Sequence, residues 1–252
     1  MYKIPTNTLF IGKNLVFMPE CHSTNTHALQ LCQEPSTPEG TLVITDNQTA
    51  GRGQMGNTWE AHAGQNLTFS FILKPTFLRP HEQYSLNMAI SLGLYDFLSA
   101  FLQQPVHIKW PNDLLADNRK VCGILIENSI QGSTLAHAVV GIGLNVNQAT
   151  FSSPRAGSLR TVSGQSHGLQ EVLDVLLVAL EQRYLSLRQG KTVQLKHDYE
   201  QVLFGLNEPR PFKTGGEEFE GRVKGIDEAG RLLLETVEGV RVFALKEIEF
   251  VY

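Results

Sequence analysis

A glycine-rich segment, GRGQMG at residues 51–56, contains the pattern G-x-G-x-x-G, which in many enzymes binds the pyrophosphate of a dinucleotide. In such a site the glycines end a strand and open a helix, whose N-terminus faces the phosphates. Here NTWEAHAGQ follows without apolar residues at helical spacing, and the acidic residue expected about 20 positions further on is missing. The segment therefore does not indicate an NAD site, and a tight surface loop is the simplest alternative. Arg52, however, stands between two glycines, where bare backbone lets a ligand approach and a guanidinium group could bind a carboxylate or phosphate.

Four further segments carry polar side chains that could bind the same carboxylate- or phosphate-bearing ligand as Arg52. They are STN at 23–25, KWPNDLL at 109–115, RKVCGILIE at 119–127 and GIGLNVN at 141–147. Together with DNQTAGRGQMGNTW at 46–59, in this order and at these separations, they resemble the catalytic domain of biotin–protein ligases. Those enzymes attach biotin to biotin carboxyl carrier protein. The five segments cover residues 23–147, and their combination is specific although each alone is weak.

The resemblance implies two half-reactions. The biotin carboxylate attacks the α-phosphorus of ATP with Mg²⁺, giving biotinyl-5′-AMP and pyrophosphate, and a lysine amine of the carrier protein then attacks the mixed anhydride and releases AMP. Two anions must meet, and fixed cations stabilise the charge that builds on phosphorus because they need no reorganisation. By resemblance, the catalytic residues are Arg52, Lys109, Asp113 and Lys120.

The biotin head is a neutral ureido ring, which hydroxyl and amide side chains bind without burying charge. By resemblance, the biotin-binding residues are Ser23, Thr24, Asn25, Gln48, Gly51, Arg52, Gly53, Gln54, Lys120 and Gly123. The nucleotide-binding residues are Arg52, Trp59, Lys109, Asn112, Lys120 and Asn145. Three glycines that interrupt strands, Gly123, Gly141 and Gly143, would let the ring and its apolar tail lie against the sheet.

Several of these residues have a second interpretation. Asp113 could hold Mg²⁺, accept a proton from the incoming lysine amine, or cap a turn. Trp59 could cover the adenine or the biotin tail, or it could pack in the core. Lys120 could be a solvated lysine beside a hairpin turn, and residues 23–25 could cap a helix.

The pattern of the chain predicts the elements that position these residues. Helices are predicted from Ser23 to about Gln33 and over 82–103, 169–187 and 193–204, from caps and from apolar residues at three- and four-residue spacing. Strands are predicted at 41–45, 66–73, 106–110 and 135–147, with a hairpin over 114–128 that turns at Asp117 and Asn118. Residues 151–168 are predicted to form a polar surface loop. Short turns between consecutive strands favour antiparallel pairing.

These elements predict an α+β fold with a mixed, largely antiparallel sheet flanked by helices. The resemblance adds that this sheet is of the class II aminoacyl-tRNA synthetase-like type found in biotin ligase catalytic domains. From about residue 205 the segments FEGRVKGI, RLLLETV and VRVFAL indicate short strands, which resemble the family's small SH3-like β-barrel. We therefore expect a catalytic domain over residues 1–204 and a C-terminal domain over 205–252.

Composition limits the partners of this protein. The net charge of -4 argues against a general binder of nucleic acid or membrane surfaces. The three cysteines fit reduced thiols, and neither a secretory signal nor a transmembrane run is present, so we expect a cytoplasmic protein that is a monomer or homodimer. No room precedes Ser23 for the N-terminal winged-helix domain of bifunctional relatives, so a DNA-binding repressor is not expected.

Two other functions compete with biotin ligation. A lipoate–protein ligase or octanoyl transferase has a related fold and similar acyl chemistry, but GRG together with KWPND favours biotin. A non-catalytic biotin or nucleotide sensor would not need the paired cations Arg52 and Lys120. Gln54 and Met55 stand where many relatives carry arginine, which makes this loop less cationic than the commonest pattern. We also expect residues 46–57 to be mobile without ligand and to order over biotinyl-5′-AMP.

Overall fold

The computed structural model describes residues 2–251, apart from the side chain of Met55. Its larger sheet has seven strands: β1 (Leu15–Cys21), β2 (Leu42–Gln48), β3 (Leu67–Leu73), β4 (Val106–Lys109), β5 (Asp113–Ala116), β6 (Arg119–Gln131) and β7 (Thr134–Leu144). They lie in the order β1-β2-β3-β7-β6-β5-β4. The pair β1 and β2 is parallel and the other neighbours are antiparallel, which confirms the predicted mixed, largely antiparallel sheet.

Five helices flank this sheet: α1 (Thr24–Leu31), α2 (Gln83–Phe101), α3 (Leu159–Ser163), α4 (Leu169–Arg188) and α5 (Thr192–Gln201). Every residue of β3 is buried, because helices cover both faces of the sheet at its centre. Successive residues of β2 pack against opposite faces of the sheet. Val43 packs with Ala28 of α1 on one face, whereas Leu42 and Ile44 belong to the larger core that α2 and α4 share on the other. In the described chain, no helix is both long and apolar enough to span a membrane.

The β5–β6 hairpin turns where the sequence predicts. Asp117 and Asn118 both have positive φ, at 50° and 59°, which is the backbone of a type I′ turn and suits these two residue types. This short turn, together with a register shift in the pairing between Leu114 and Leu115, sets Asp113 opposite Gly123.

Two sequence-based expectations were incomplete or wrong. Strand β1 was not predicted, because its residues are only half-buried and include Pro19 and Glu20, so no clear alternation marks it. The prediction of a surface loop over 151–168 was wrong in part. This segment contains α3, and Ser158 and Leu159 are fully buried because the chain folds back under the end of β7.

The C-terminal part forms a second, five-stranded antiparallel sheet: β8 (Pro209–Thr214), β9 (Glu217–Ile226), β10 (Leu232–Thr236), β11 (Gly239–Phe243) and β12 (Glu249–Phe250). Three of these strands were predicted from the sequence. The sheet rests on the larger one near β4, where Trp110 donates an indole hydrogen bond to the Gly230 carbonyl at 2.9 Å. Strand β12 thereby lies close to the polar segments that the sequence singles out.

A buried carboxylate on α4 fixes the N-terminal segment. Glu181 is only 4% exposed, and it accepts backbone hydrogen bonds from Leu9, Phe10 and Ile11 at 2.6–2.9 Å. Glu181→Gln is expected to lower the free energy of unfolding by about 2 kcal/mol, because three backbone donors, of which that of Ile11 is fully buried, lose a charged acceptor. Urea denaturation measures this, with the exposed Glu238→Gln as control. Equal unfolding midpoints for Glu181→Gln and the unsubstituted protein would contradict the assignment.

Candidate active site

One cavity of about 630 Å³ collects the segments that the sequence groups together. It lies over β6 and β7, between the start of α1, the glycine-rich loop, the β4–β5 segment and strand β12. The predicted site residues that line it are Ser23, Thr24, Asn25, Gln48, Arg52, Gly53, Gln54, Trp59, Lys109, Asn112, Asp113, Lys120 and Gly123. Gly51 and Asn145, which were also predicted, do not line it.

The start of α1 forms an uncharged polar end of the cavity. The Gln48 side-chain oxygen accepts a hydrogen bond from the Thr24 backbone at 2.9 Å. Ser70, fully buried on β3, has its hydroxyl oxygen 2.7 Å from the Thr24 hydroxyl and 2.6 Å from the Asn25 amide oxygen. Ser23 is the N-cap residue of α1, but its side chain makes no capping hydrogen bond, so its hydroxyl group does not serve the helix.

Glycines form the floor of the cavity. Gly123 on β6 pairs with Gly143 on β7, and a Cβ atom added at Gly143 would overlap the Trp59 ring. A Cβ at Gly123 would lie 2.9 Å from the same ring, and one at Gly141 would overlap the Asn25 amide. These glycines allow close approach of the Trp59 and Asn25 side chains, and the predicted approach of biotin to them stays a prediction.

Trp59 lies half-buried on this glycine floor. Its indole nitrogen is buried and has no hydrogen-bond partner among the described residues. The ring is thus part of the site wall rather than of the main core. Whether it covers the adenine or the biotin tail stays a prediction.

The opposite end of the cavity is cationic. Lys120 Nζ lies 2.7 Å from Asp113 Oδ1 and 5.5 Å from the centroid of the Trp59 ring. Lys109 lies opposite Asp113 in the β4–β5 pairing, and its ammonium group is 5.3 Å from the Phe250 ring centroid. Burial lowers the pKa of Lys109, and the Asp113 carboxylate partly offsets this shift. A lysine with a lowered pKa beside a carboxylate marks an electrostatically tuned position.

Two cations at this end, Arg155 and Lys246, were not predicted. Arg155 belongs to the segment assigned to a surface loop, but that segment runs beside β6: the Lys120 backbone donates to the Arg155 carbonyl at 2.8 Å, and the Gly157 backbone donates to the Lys120 carbonyl at 2.9 Å. Lys246 follows β11 in the C-terminal sheet. No local pattern links either residue to the site, because the fold alone brings them there.

The glycine-rich loop is a small hairpin rather than the start of a helix. The Gly53 backbone donates to the Asn57 carbonyl at 2.6 Å, and the Trp59 backbone donates to the Gly51 carbonyl at 3.0 Å. A three-residue 3₁₀ turn spans Gln54–Gly56, and β3 is the next strand, which confirms that no dinucleotide-binding α-helix follows. Strand β2 extends through Gln48, so the predicted ordering of residues 46–57 over a ligand concerns mainly residues 49–57.

Arg52 faces away from the cationic end. Its guanidinium group lies 2.5 Å from Glu127 Oε1 and donates to the Thr26 hydroxyl at 3.2 Å. Glu127 is the last residue of the segment RKVCGILIE at 119–127, but it was not predicted from the sequence as a site residue. The structure therefore pairs Arg52 with Glu127, and its role at a phosphate stays a prediction.

Two predicted asparagines have structural partners. Asn112 donates to the Ile124 carbonyl at 2.8 Å, which fixes the turn between β4 and β5 against β6. Asn145 is buried and donates to the Gly157 carbonyl at 2.9 Å, whereas its side-chain oxygen is buried without a partner in the described part of the chain. Because Asn145 does not line the cavity, its predicted contact with an adenine edge is not supported by this arrangement and stays a prediction.

Comparison with known proteins agrees with this geometry. Residues 17–145 match the model of the biotin/lipoate A/B protein ligase family, and residues 211–248 match that of the biotin protein ligase C-terminal domain. The bifunctional ligase/repressor BirA of Bacillus spizizenii is 33% identical over 248 residues, covering 96% of this chain and 75% of that protein. The biotin–[acetyl-CoA-carboxylase] ligase of Paracoccus denitrificans is 32% identical over 240 residues, covering 90% and 97%.

A solved structure shares the whole arrangement of elements. The biotin protein ligase from Aquifex aeolicus, in complex with biotin and ATP, superposes with a TM-score of 0.79 at 28% identity, covering 95% of this chain and 99% of that one. Family match, sequence relatives and structural likeness therefore indicate the same family. The chain belongs to the biotin/lipoate A/B protein ligase family, among its biotin–protein ligases.

Proposed function

We propose that this enzyme activates biotin with ATP as biotinyl-5′-AMP and transfers the biotinyl group to a lysine of biotin carboxyl carrier protein. The observation that carries the proposal is a single cavity with an uncharged polar end at Thr24 and Gln48 and a cationic end at Lys120. An acyl-adenylate has these two characters, a neutral head and an anionic phosphate. The Aquifex relative that shares the fold binds biotin and ATP.

The polar end suits the ureido ring of biotin. Hydroxyl and amide groups of Ser23, Thr24 and Gln48 offer both donors and acceptors, which a cyclic urea needs on its N–H and C=O edges. The glycine floor lets the Trp59 ring lie flat against the sheet, which leaves cavity space beside it for the flat ring and apolar tail of biotin. With the ureido ring bound at this end, the biotin carboxylate would point toward Lys120.

The cationic end suits the reacting phosphate. Lys120, Lys109 and Arg155 line the cavity where the carboxylate of biotin would meet the α-phosphorus. The Lys120 ammonium group, oriented by Asp113, stabilises the negative charge that develops on the phosphate oxygens during attack. In the second half-reaction the acceptor amine attacks the acyl carbon and the same cations stabilise AMP as it leaves.

Magnesium would enter this site with ATP. Among the described residues, no group of three or more His, Cys, Asp or Glu side chains could hold a metal by itself. Mg²⁺ commonly uses one or two carboxylates together with substrate phosphates and water, and Asp113 and Glu249 are the carboxylates lining the described cavity. The donor set therefore fits a phosphate-bound ion, which when present neutralises charge on the triphosphate, and we assign its protein contact to Asp113.

Asp113→Asn is expected to raise the Mg²⁺ concentration for half-maximal adenylation by roughly tenfold or more, the scale found when groups around metal sites are removed. Titration of Mg²⁺ against pyrophosphate release measures it. Asp117→Asn, in the turn of the same hairpin, serves as the matched control. An unchanged Mg²⁺ requirement with a lower rate would mean that Asp113 acts only by orienting Lys120.

We also propose that the catalytic domain spans residues 1–204 and the C-terminal domain 205–252. Leu245, Lys246 and Phe250 line the cavity from the C-terminal sheet. This sheet therefore forms one side of the entrance that the acceptor lysine must pass.

A lipoate or octanoate ligase is the second candidate, because the matched family includes lipoate ligases. Their dithiolane or alkyl ends offer no counterpart to the polar cluster around Thr24 and Asn25, which therefore favours biotin. Incubation of the enzyme with biotin, ATP and a carrier domain tests the proposal by intact mass. We expect addition of one biotinyl group, and none to a carrier whose acceptor lysine is arginine. Addition of lipoyl or octanoyl groups instead would support the second candidate.

A further inference from the structure

Glu127 joins three elements around the polar end of the cavity. It lies on β6, where one of its carboxylate oxygens is 2.5 Å from Arg52 Nη2 of the glycine-rich loop. Its other oxygen accepts a hydrogen bond from the Asn25 amide of α1 at 2.8 Å. The same amide also donates to the Leu125 carbonyl at 3.2 Å, so Asn25 is fixed against β6.

Arg52 makes the hydrogen bonds that join the loop tip to the rest of the protein. Among the hydrogen bonds of the described residues, the backbone ones within 51–59 are internal to the hairpin, such as those from Gly53 to Asn57 and from Trp59 to Gly51. The bonds from Arg52 to Glu127 and to Thr26 leave the hairpin. The hairpin also contacts the rest of the protein through the Trp59 ring, which rests on the glycine floor.

We propose that Glu127 is a positioning residue: its ion pair with Arg52 holds the glycine-rich loop over the biotin end and retains biotinyl-5′-AMP. The proposal rests on the proposed function. Glu127 is not among the residues that line the cavity, and it acts on the ligand through Arg52. Loss of its charge frees the loop tip, and the acyl-adenylate then escapes before an acceptor lysine arrives.

The expected effect is moderate, because the pair is partly solvated. The side chains of Arg52 and Glu127 are 43% and 26% exposed, so solvent screens their attraction. For Glu127→Gln we expect dissociation of biotinyl-5′-AMP to become about fivefold faster, the upper range for such pairs. The rate of biotin adenylation at saturating substrate should stay within about twofold, because the cationic end is intact.

A double-substitution cycle tests this assignment with purified full-length enzyme and added biotinyl-5′-AMP. Glu127→Gln, Arg52→Gln and the double variant are compared by the dissociation rate of the ligand, with the exposed Glu235→Gln as control. If Glu127 acts through Arg52, Glu127→Gln in the Arg52→Gln background should change the rate less than twofold. Independent, multiplicative effects, or a dissociation rate for Glu127→Gln within twofold of the unsubstituted enzyme, would overturn it.

A further variant tests whether the negative charge at position 127 is what holds the loop. Glu127→Asp keeps the charge with a shorter reach, and we expect its dissociation rate to lie between those of Glu127→Gln and the unsubstituted enzyme. A rate for Glu127→Asp equal to or above that of Glu127→Gln would contradict an ion-pair role. Failure of the unsubstituted enzyme to bind biotinyl-5′-AMP at all would instead overturn the proposed function.

Discussion

Lys120→Ala is expected to lower the rate of biotin adenylation by roughly 100- to 1000-fold, the usual effect of losing one preorganised charge partner of a transition state. Lys120 lies beside Asp113 at 2.7 Å and lines the cavity where the carboxylate and the α-phosphorus must meet. Removing its ammonium group leaves the charge that develops on phosphate without this fixed cation. The loss should appear mainly in kcat, because the interaction strengthens in the transition state.

The measurement is biotin-dependent release of pyrophosphate at saturating ATP. Lys3→Ala, an exposed lysine outside the cavity, controls for the general effect of removing a positive charge. An adenylation rate for Lys120→Ala within about threefold of the unsubstituted enzyme would make Lys120 a solvated surface lysine.

Gly143→Ala is expected to lower kcat/KM for biotin by between about 5- and 150-fold, which corresponds to the cost of overpacking a well-packed site. A Cβ atom at this position overlaps the Trp59 ring, so the ring must move off the glycine floor into the space where biotin is proposed to lie. The change should therefore act mainly on KM for biotin and less on KM for ATP.

Steady-state kinetics with biotin as the varied substrate measures this effect. Gly221→Ala is a matched control, because a Cβ atom there meets its neighbours at ordinary contact distances of 3.4 Å or more. Trp59→Leu introduced together with Gly143→Ala should restore part of the loss by relieving the overlap. A kcat/KM unchanged by Gly143→Ala would show that the floor tolerates a methyl group and that biotin lies elsewhere.

Local patterns predicted the parts of the site that local geometry builds. Alternating residues marked β3, the two-residue turn at Asp117 and Asn118 marked the β5–β6 hairpin, and glycines within β6 and β7 marked the cavity floor. Each of these features depends on residues close together in the chain. The resemblance to biotin–protein ligases then joined segments that local patterns leave separate.

Residues brought together only by the fold could not be predicted in this way. Glu127 and Arg52 are 75 positions apart, and nothing in either segment specifies the partner. Arg155 lies in a segment whose polar composition resembles a surface loop, and Lys246 belongs to the second sheet. Arg155 is placed by backbone hydrogen bonds between its segment and Lys120, whereas the position of Lys246 depends on how the two sheets meet at Trp110 and Gly230.

A motif also does not show which of its residues face the cavity. Gly51 belongs to the glycine-rich segment, but its Cα is covered by the Trp59 carbonyl and the Gln48 amide, so it supports the hairpin instead of lining the cavity. Asn145 is buried under the chain that follows β7 and donates to Gly157. Arg52 lines the cavity, but its charge is held by Glu127.

Exchange of labelled pyrophosphate into ATP tests the central claim most directly, because it reports adenylation of the acyl substrate without an acceptor protein. The purified enzyme is assayed with Mg²⁺ and ATP together with biotin, lipoate or octanoate. The proposed function predicts exchange that depends on biotin and is absent with lipoate and octanoate. No exchange with biotin, or equal exchange with lipoate or octanoate, would contradict it.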